Sequence, residues 1–114
     1  MKYRGSCHCG KVTFEFEGAV EGVVSCNCSI CSRRGSLLHF TSRDAMSVTG
    51  EQELATYTFN KHVIKHRFCK TCGVLPFGEG VDPQGVRTAA VNVRCLDDFD
   101  ISTLKVHQYD GRNA

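Results

Sequence analysis

A mainly β, single-domain fold over residues 1–114 is what the sequence predicts, and three observations carry the prediction. Residues 11–17, KVTFEFE, put Val12, Phe14 and Phe16 on one face and Thr13, Glu15 and Glu17 on the other, the alternation of a half-buried strand. Short apolar segments recur after it with Gly, Asn, Asp and Pro clustered between them, while only two stretches suit a helical turn. The 114 residues contain no Pro-rich linker, no low-complexity tract and no repeat with a period of roughly 20 to 50 residues, so one core of modest size is expected.

In chain order the expected strands are 11–17, closed by Gly18, then 20–26, 37–41, 46–49, 54–59, 63–68, 86–94 and 106–109. The helical turns are 29–34, with Ser29 as N-cap, and 100–104. Hydrophobic residues make up 41% and charged residues 23%, the balance of a folded rather than a disordered chain. A net charge of +2 offers no broad basic face, so nucleic acid is not an expected partner. No apolar run nears the roughly 20 residues of a membrane span, and MKYRGSCHCGKV lacks the apolar core of an export signal. A cytoplasmic protein is the expectation.

Eight cysteines must then be assigned to metal or to disulfides. Thiols stay reduced in the cytoplasm, and seven of the eight fall in tight groups: Cys7 and Cys9; Cys26, Cys28 and Cys31; Cys69 and Cys72. Residues two apart bridge each other poorly but share a face of an extended segment and converge on one ion. Redox chemistry of a CxxC pair would explain Cys69 and Cys72 alone. Each of the outer pairs ends in a glycine, Gly10 and Gly73, which permits the positive φ that turns backbone N–H groups toward sulfur. Joined, the two pairs make the closed four-sulfur set of a structural zinc site. Sharing of an ion between Cys7, Cys9, Cys26 and Cys28 is an alternative that spacing leaves open.

That partition leaves SCNCSICSRRG with three cysteines and no fourth. Structural zinc sites are closed, whereas catalytic ones hold three protein ligands and keep a position for water or substrate. Cys26, Cys28 and Cys31 supply the three. Cys95 is the main competitor for the fourth place, and His8, His39, His62, His66 and His107 are others.

The segments GSCHCGKV, CNCSICSRRG, FCKTCGVLPFG and VNVRCLD, in that order, resemble the glutathione-dependent formaldehyde-activating enzyme family, whose domain is shared with centromere protein V. The resemblance spans nearly the whole chain. It implies a β-tent fold of zinc-bound antiparallel sheets, a structural zinc on Cys7, Cys9, Cys69 and Cys72, and a second zinc on Cys26, Cys28 and Cys31. It also implies condensation of formaldehyde with glutathione to S-hydroxymethylglutathione, a carbon–sulfur lyase reaction run toward bond formation.

Chemistry agrees with a thiol partner. Three thiolates outweigh a dication, which makes a weak Lewis acid for carbonyls but a good acceptor for a thiol whose free pKa is about 8.5. Arg33 and Arg34, with Lys70 or His62, are candidates to offset the charge or meet a substrate carboxylate, against the plainer reading of a solvated turn. His62 and His66 are expected on one strand face. Pro76 and Phe77 are expected to pack over the first metal, and Glu79, Asp82 and Asp97 read first as turn acids. The competing function is a zinc-stapled module that binds protein or nucleic acid without catalysis.

Overall fold

The alternation of TFEFE becomes a strand because its apolar side is covered. Phe14 and Phe16 are buried while Thr13 and Glu17 face solvent. The computed structural model describes residues 1–113, and ten strands dominate them. These are β1 (Lys2–Ser6), β2 (Thr13–Glu17), β3 (Gly22–Cys26), β4 (Leu38–Ser42), β5 (Met46–Thr49), β6 (Leu54–Tyr57), β7 (Lys65–Cys69), β8 (Phe77–Val81), β9 (Arg87–Asn92) and β10 (Lys105–Tyr109), with one α-helix, α1 (Ser29–Arg34), between β3 and β4.

Two sheets form, one of three strands in the order β1-β2-β5 and one of seven in the order β10-β3-β4-β9-β8-β7-β6. The core lies between them. Phe14 and Phe16 from the small sheet, with Val12 just before it, meet Phe77, Ala89 and Val91 from the large one, and the Phe14 ring stands edge-on to Phe77 at 6.3 Å. Cys7 and Cys69 belong to the same buried cluster.

All pairings are antiparallel except one: β10 runs parallel to β3, Tyr109 beside Cys26. The mainly β fold of small antiparallel sheets is the one expected, and the parallel edge strand makes the larger sheet mixed. The strands at Lys2–Ser6 and Phe77–Val81 were not anticipated, because KYRGS has no apolar alternation and FGEGV carries two glycines that read as turn.

Several boundaries shift for local reasons. The strand expected over 86–94 stops at Asn92, whose Oδ1 accepts from the Arg94 N–H at 3.2 Å and caps a 3-10 turn. Those expected over 54–59 and 63–68 are interrupted where Asn60 and His62 both take φ 57° and the His62 N–H donates to the Phe59 carbonyl at 2.9 Å. His62 therefore leaves the strand, and only His66 lies on β7. The N-cap of α1 is Cys28 rather than Ser29. The turn expected over 100–104 is a 3-10 turn, Ile101–Thr103, capped by Asp100.

Glu79 on β8 joins the strands to the 43–45 turn. Its two oxygens accept from Arg43 Nε at 2.6 Å and Arg67 Nη1 at 3.2 Å. Burial works against the carboxylate, yet the two guanidiniums prevail and hold its pKa below the ordinary 4.5. A depressed carboxylate contributes stability above its unfolded pKa and loses it as pH falls through the folded value. Glu79→Gln is expected to cost about 1.5–3 kcal/mol at pH 7. The deficit relative to wild type should shrink as pH falls below the ordinary carboxylate value and on through the lower folded-state value of Glu79. Urea unfolding at pH 7 and at pH 3 checks both statements.

Candidate metal centres

Two hairpin turns bring the first four cysteines together. In one, the Cys7 N–H donates to Val12 O at 3.0 Å and the Gly10 N–H to Cys7 O at 3.3 Å; in the other, Cys69 donates to Val74 O at 2.9 Å and Gly73 to Cys69 O at 2.8 Å. The turns are near copies. Gly10 and Gly73 take φ 82° and 79°, as the sequence required of them.

Their four sulfurs lie within 4.8 Å of one another. Cys9 Sγ is 3.6 Å from both Cys7 Sγ and Cys69 Sγ, close to the roughly 3.8 Å edge of a tetrahedron built on metal–sulfur bonds of about 2.3 Å. Backbone donors face the sulfurs as well: Val12 N–H to Cys7 and Thr71 N–H to Cys69, both at 3.4 Å. The Val74 N–H is the main reason that the Cys72 thiol is drawn down to about 6. This pairing, rather than Cys7 and Cys9 with Cys26 and Cys28, is the one the fold brings together.

The remaining triplet is built from a strand end and a helix start. Cys26 ends β3, Cys28 caps α1, and Cys31 turns inward as the buried residue of that helix. Their sulfurs also lie within 4.8 Å of one another, and the Cys28 N–H donates to Cys26 Sγ at 3.4 Å. Burial, then the neighbouring Cys28 and Cys26, push the Cys31 thiol up to about 12, with Arg34 opposing. For Cys28 burial acts upward, but the Cys31 N–H and the adjacent sulfurs leave it below its usual value.

No other His, Cys, Asp or Glu among the described residues joins this triplet. Cys95, the expected competitor, sits elsewhere: its sulfur is 3.8 Å from Leu75 O and accepts from Asn92 Nδ2 at 3.6 Å. Burial pushes Cys95 up to about 11, and the thiols that add to this are Cys7 and Cys72 of the first cluster. His62 Nδ1 is engaged with Thr58 Oγ1 at 2.8 Å.

The two arginines of SRRG part company. Arg33 Nη1 donates to Ser29 O at 2.7 Å and stays with its own helix. Arg34 donates through Nε to Ser36 Oγ at 3.2 Å, while Nη2 approaches Cys31 Sγ at 3.9 Å and Nη1 approaches His66 Nδ1 at 3.5 Å. His66 is held below its usual pKa by burial and then by Arg34. Lys70 lies in the first cluster's turn, its N–H donating to Glu53 O. Pro76 and Phe77 are fully buried, Phe77 within the core cluster, and Asp82 accepts from the Gln84 and Val86 N–H groups as a turn acid. Asp97 donates its N–H to Arg4 O and joins neither cluster.

Residues 109–112 wall the triplet, and no local pattern in the chain predicts it. Asn27, between Cys26 and Cys28, donates to Asp110 Oδ1 at 2.9 Å, and its Oδ1 accepts from the Arg112 N–H at 2.9 Å. Gly111 packs so closely that a Cβ there would fall 2.6 Å from Cys26 Sγ. A glycine in YDGRN reads as a turn former; only the parallel pairing of β10 with β3 sets it against the cysteines.

The β scaffold thus carries two all-sulfur clusters, each able to hold a metal ion. Residues 2–112 match the glutathione-dependent formaldehyde-activating enzyme family, and the chain belongs to it. It is similar to a Rhodobacter sphaeroides protein of known crystal structure, at 28% identity and a TM-score of 0.77, over 91% of this chain and 99% of that one. The family is one of enzymes, named for formaldehyde activation. Among the described residues, no helix is long and apolar enough to cross a membrane.

Proposed function

We propose that this chain is a zinc-dependent enzyme of the carbon–sulfur lyase class that adds a small thiol to a small aldehyde. For the family's namesake pair, glutathione and formaldehyde, the product is S-hydroxymethylglutathione. The observation that carries the reading is a triplet of converging sulfurs that no further His, Cys, Asp or Glu of the described residues joins. Sulfur-only donors suit zinc. Cys7, Cys9, Cys69 and Cys72 would hold a structural ion, and Cys26, Cys28 and Cys31 a second one with a position free for substrate.

A zinc ion at the triplet would supply one thing, acidification of an incoming thiol so that it arrives as a nucleophile. The chain's own groups do the rest. Arg34, within 3.9 Å of Cys31 Sγ, offsets the excess negative charge of clustered thiolates. Asn27 and Gly111 hold the Cys26–Cys28 loop against residues 109–112, which fixes the sulfurs' mutual placement. In the reaction a carbon–sulfur bond forms as the carbonyl π bond breaks, and the proton lost by sulfur ends on the hemithioacetal oxygen; nothing is oxidised or reduced. Formaldehyde needs little activation, so positioning supplies most of the rate. In this reading the protein works in a reducing compartment such as the cytoplasm, and eight cysteines without a disulfide support that.

Exchange NMR with 13C-formaldehyde and a thiol tests the reading, because adduct and free aldehyde interconvert without any enzyme and the protein should accelerate that exchange. Acceleration in proportion to second-site metal is expected. Rates identical with and without the metal-loaded protein would remove the enzyme reading.

A further inference from the structure

The outer face of the seven-stranded sheet is unusual for an antiparallel sheet whose other face is in the core, since such a face is ordinarily polar. Across β4, β9, β8 and β7 the register sets Phe40 beside Ala90, Ala90 beside Gly78, and Gly78 beside His66. Val24 and Leu38 continue the row on β3 and β4. These residues floor a cavity of about 490 Å³, of the size that takes a small ligand. Cys26 of the triplet lines it, with Arg34 and Tyr109, and Val63 and Ile64 reach it from the turn before β7.

Two glycines make the floor a trough. A Cβ at Gly78 would meet nothing nearer than Lys65 O at 3.6 Å, and one at Gly80 nothing nearer than Thr88 Oγ1 at 3.7 Å; neither has positive φ. Packing does not demand glycine at either place, and mid-strand glycine weakens a strand. What the two positions gain is room above the sheet.

We infer that the thiol taken by this site carries an apolar body and at most one anionic group, the body lying in the trough over Gly78, Gly80 and Ala90. The inference rests on the proposed thiol–aldehyde function and narrows its substrate. Glutathione brings two carboxylates and an ammonium. Against these the cavity presents one guanidinium, Arg34, and one carboxylate, Glu79, already engaged by Arg43 and Arg67. A second carboxylate and an ammonium would lose hydration over Val24, Leu38 and Phe40 with no partner, whereas a phenyl or branched alkyl group would displace water from apolar surface.

The test titrates the full-length, zinc-loaded protein with 2-phenylethanethiol and with glutathione, following bound mass by native mass spectrometry and methyl shifts of Leu38 and Ala90 by NMR. The aromatic thiol is expected to bind at least tenfold more tightly and to shift both methyls. Gly78→Val, which fills the trough and favours the strand, should weaken the aromatic thiol at least tenfold with unchanged metal content and unchanged or higher Tm. Phe40→Glu, at a half-exposed position, should weaken it likewise. Glutathione binding as tightly as the aromatic thiol, or full affinity in both variants, overturns the inference and leaves thiol chemistry standing. Binding of neither thiol to protein carrying both ions overturns it together with the proposed function.

Discussion

Cys69→Ser is expected to lose the first metal and, with it, the folded state. Cys69 has no exposed surface, packs in the same cluster as Cys7 and Phe77, and ends the strand that pairs with both β6 and β8. Cys9 Sγ lies 3.6 Å from its sulfur, so the cluster ties the start of the chain to a turn some 60 positions later. In small zinc domains metal binding is worth about 10–16 kcal/mol and is itself folding free energy, while a whole domain retains only about 5–15 kcal/mol. Weakening such a set by one ligand is therefore comparable to the entire stability. Soluble yield, metal content and a circular-dichroism melt check this; a variant that melts within a few degrees of the parent protein would show that the sheets hold without that ion.

Cys28→Ala should do the opposite, sparing the fold and removing the chemistry. Cys28 is half-buried and precedes a helix of only six residues, so what alanine removes there is a sulfur and its contact with the first amides of α1 rather than core packing. Its thiol is outside the core that joins the two sheets. The expected result is a melt close to that of the parent protein, an intact first metal and a second site that no longer retains its ion. At pH 7 a thiol of pKa about 8.5 is only a few per cent ionised, so losing activation alone should slow adduct exchange roughly 30-fold, and lost positioning adds to that. If Cys28→Ala instead unfolds the protein, the second ion is a brace like the first.

The cysteine groups were legible because their geometry is local. CxC and CxxC place sulfurs together through turns whose hydrogen bonds span five residues or fewer, and glycine marks the positive φ that each turn needs. Which group joined which was less legible, since nothing in the spacing forbids Cys7 and Cys9 from meeting Cys26 and Cys28; the antiparallel sheets decide it. Strand β2 announced itself through alternation, whereas β8 did not, because Gly78 and Gly80 read as turn until the register shows them flooring a cavity. The parallel return of β10 leaves no local trace, and so the Asn27–Asp110 contact and the closeness of Gly111 to Cys26 had no signal to betray them. Cys95 misled for a related reason. It follows β9, an inner strand of the larger sheet, and its surroundings belong to the first cluster.

Native mass spectrometry of the parent protein and of Cys28→Ala, each with and without a small thiol, addresses the proposed free position at the triplet directly. Two ions and one thiol-mass adduct on the parent protein, against one ion and no adduct on the variant, is the predicted pattern. Two ions on the parent protein that never accept a thiol, at any concentration that leaves the first site intact, would mean that the triplet's last corner is closed and the reaction has no place to occur.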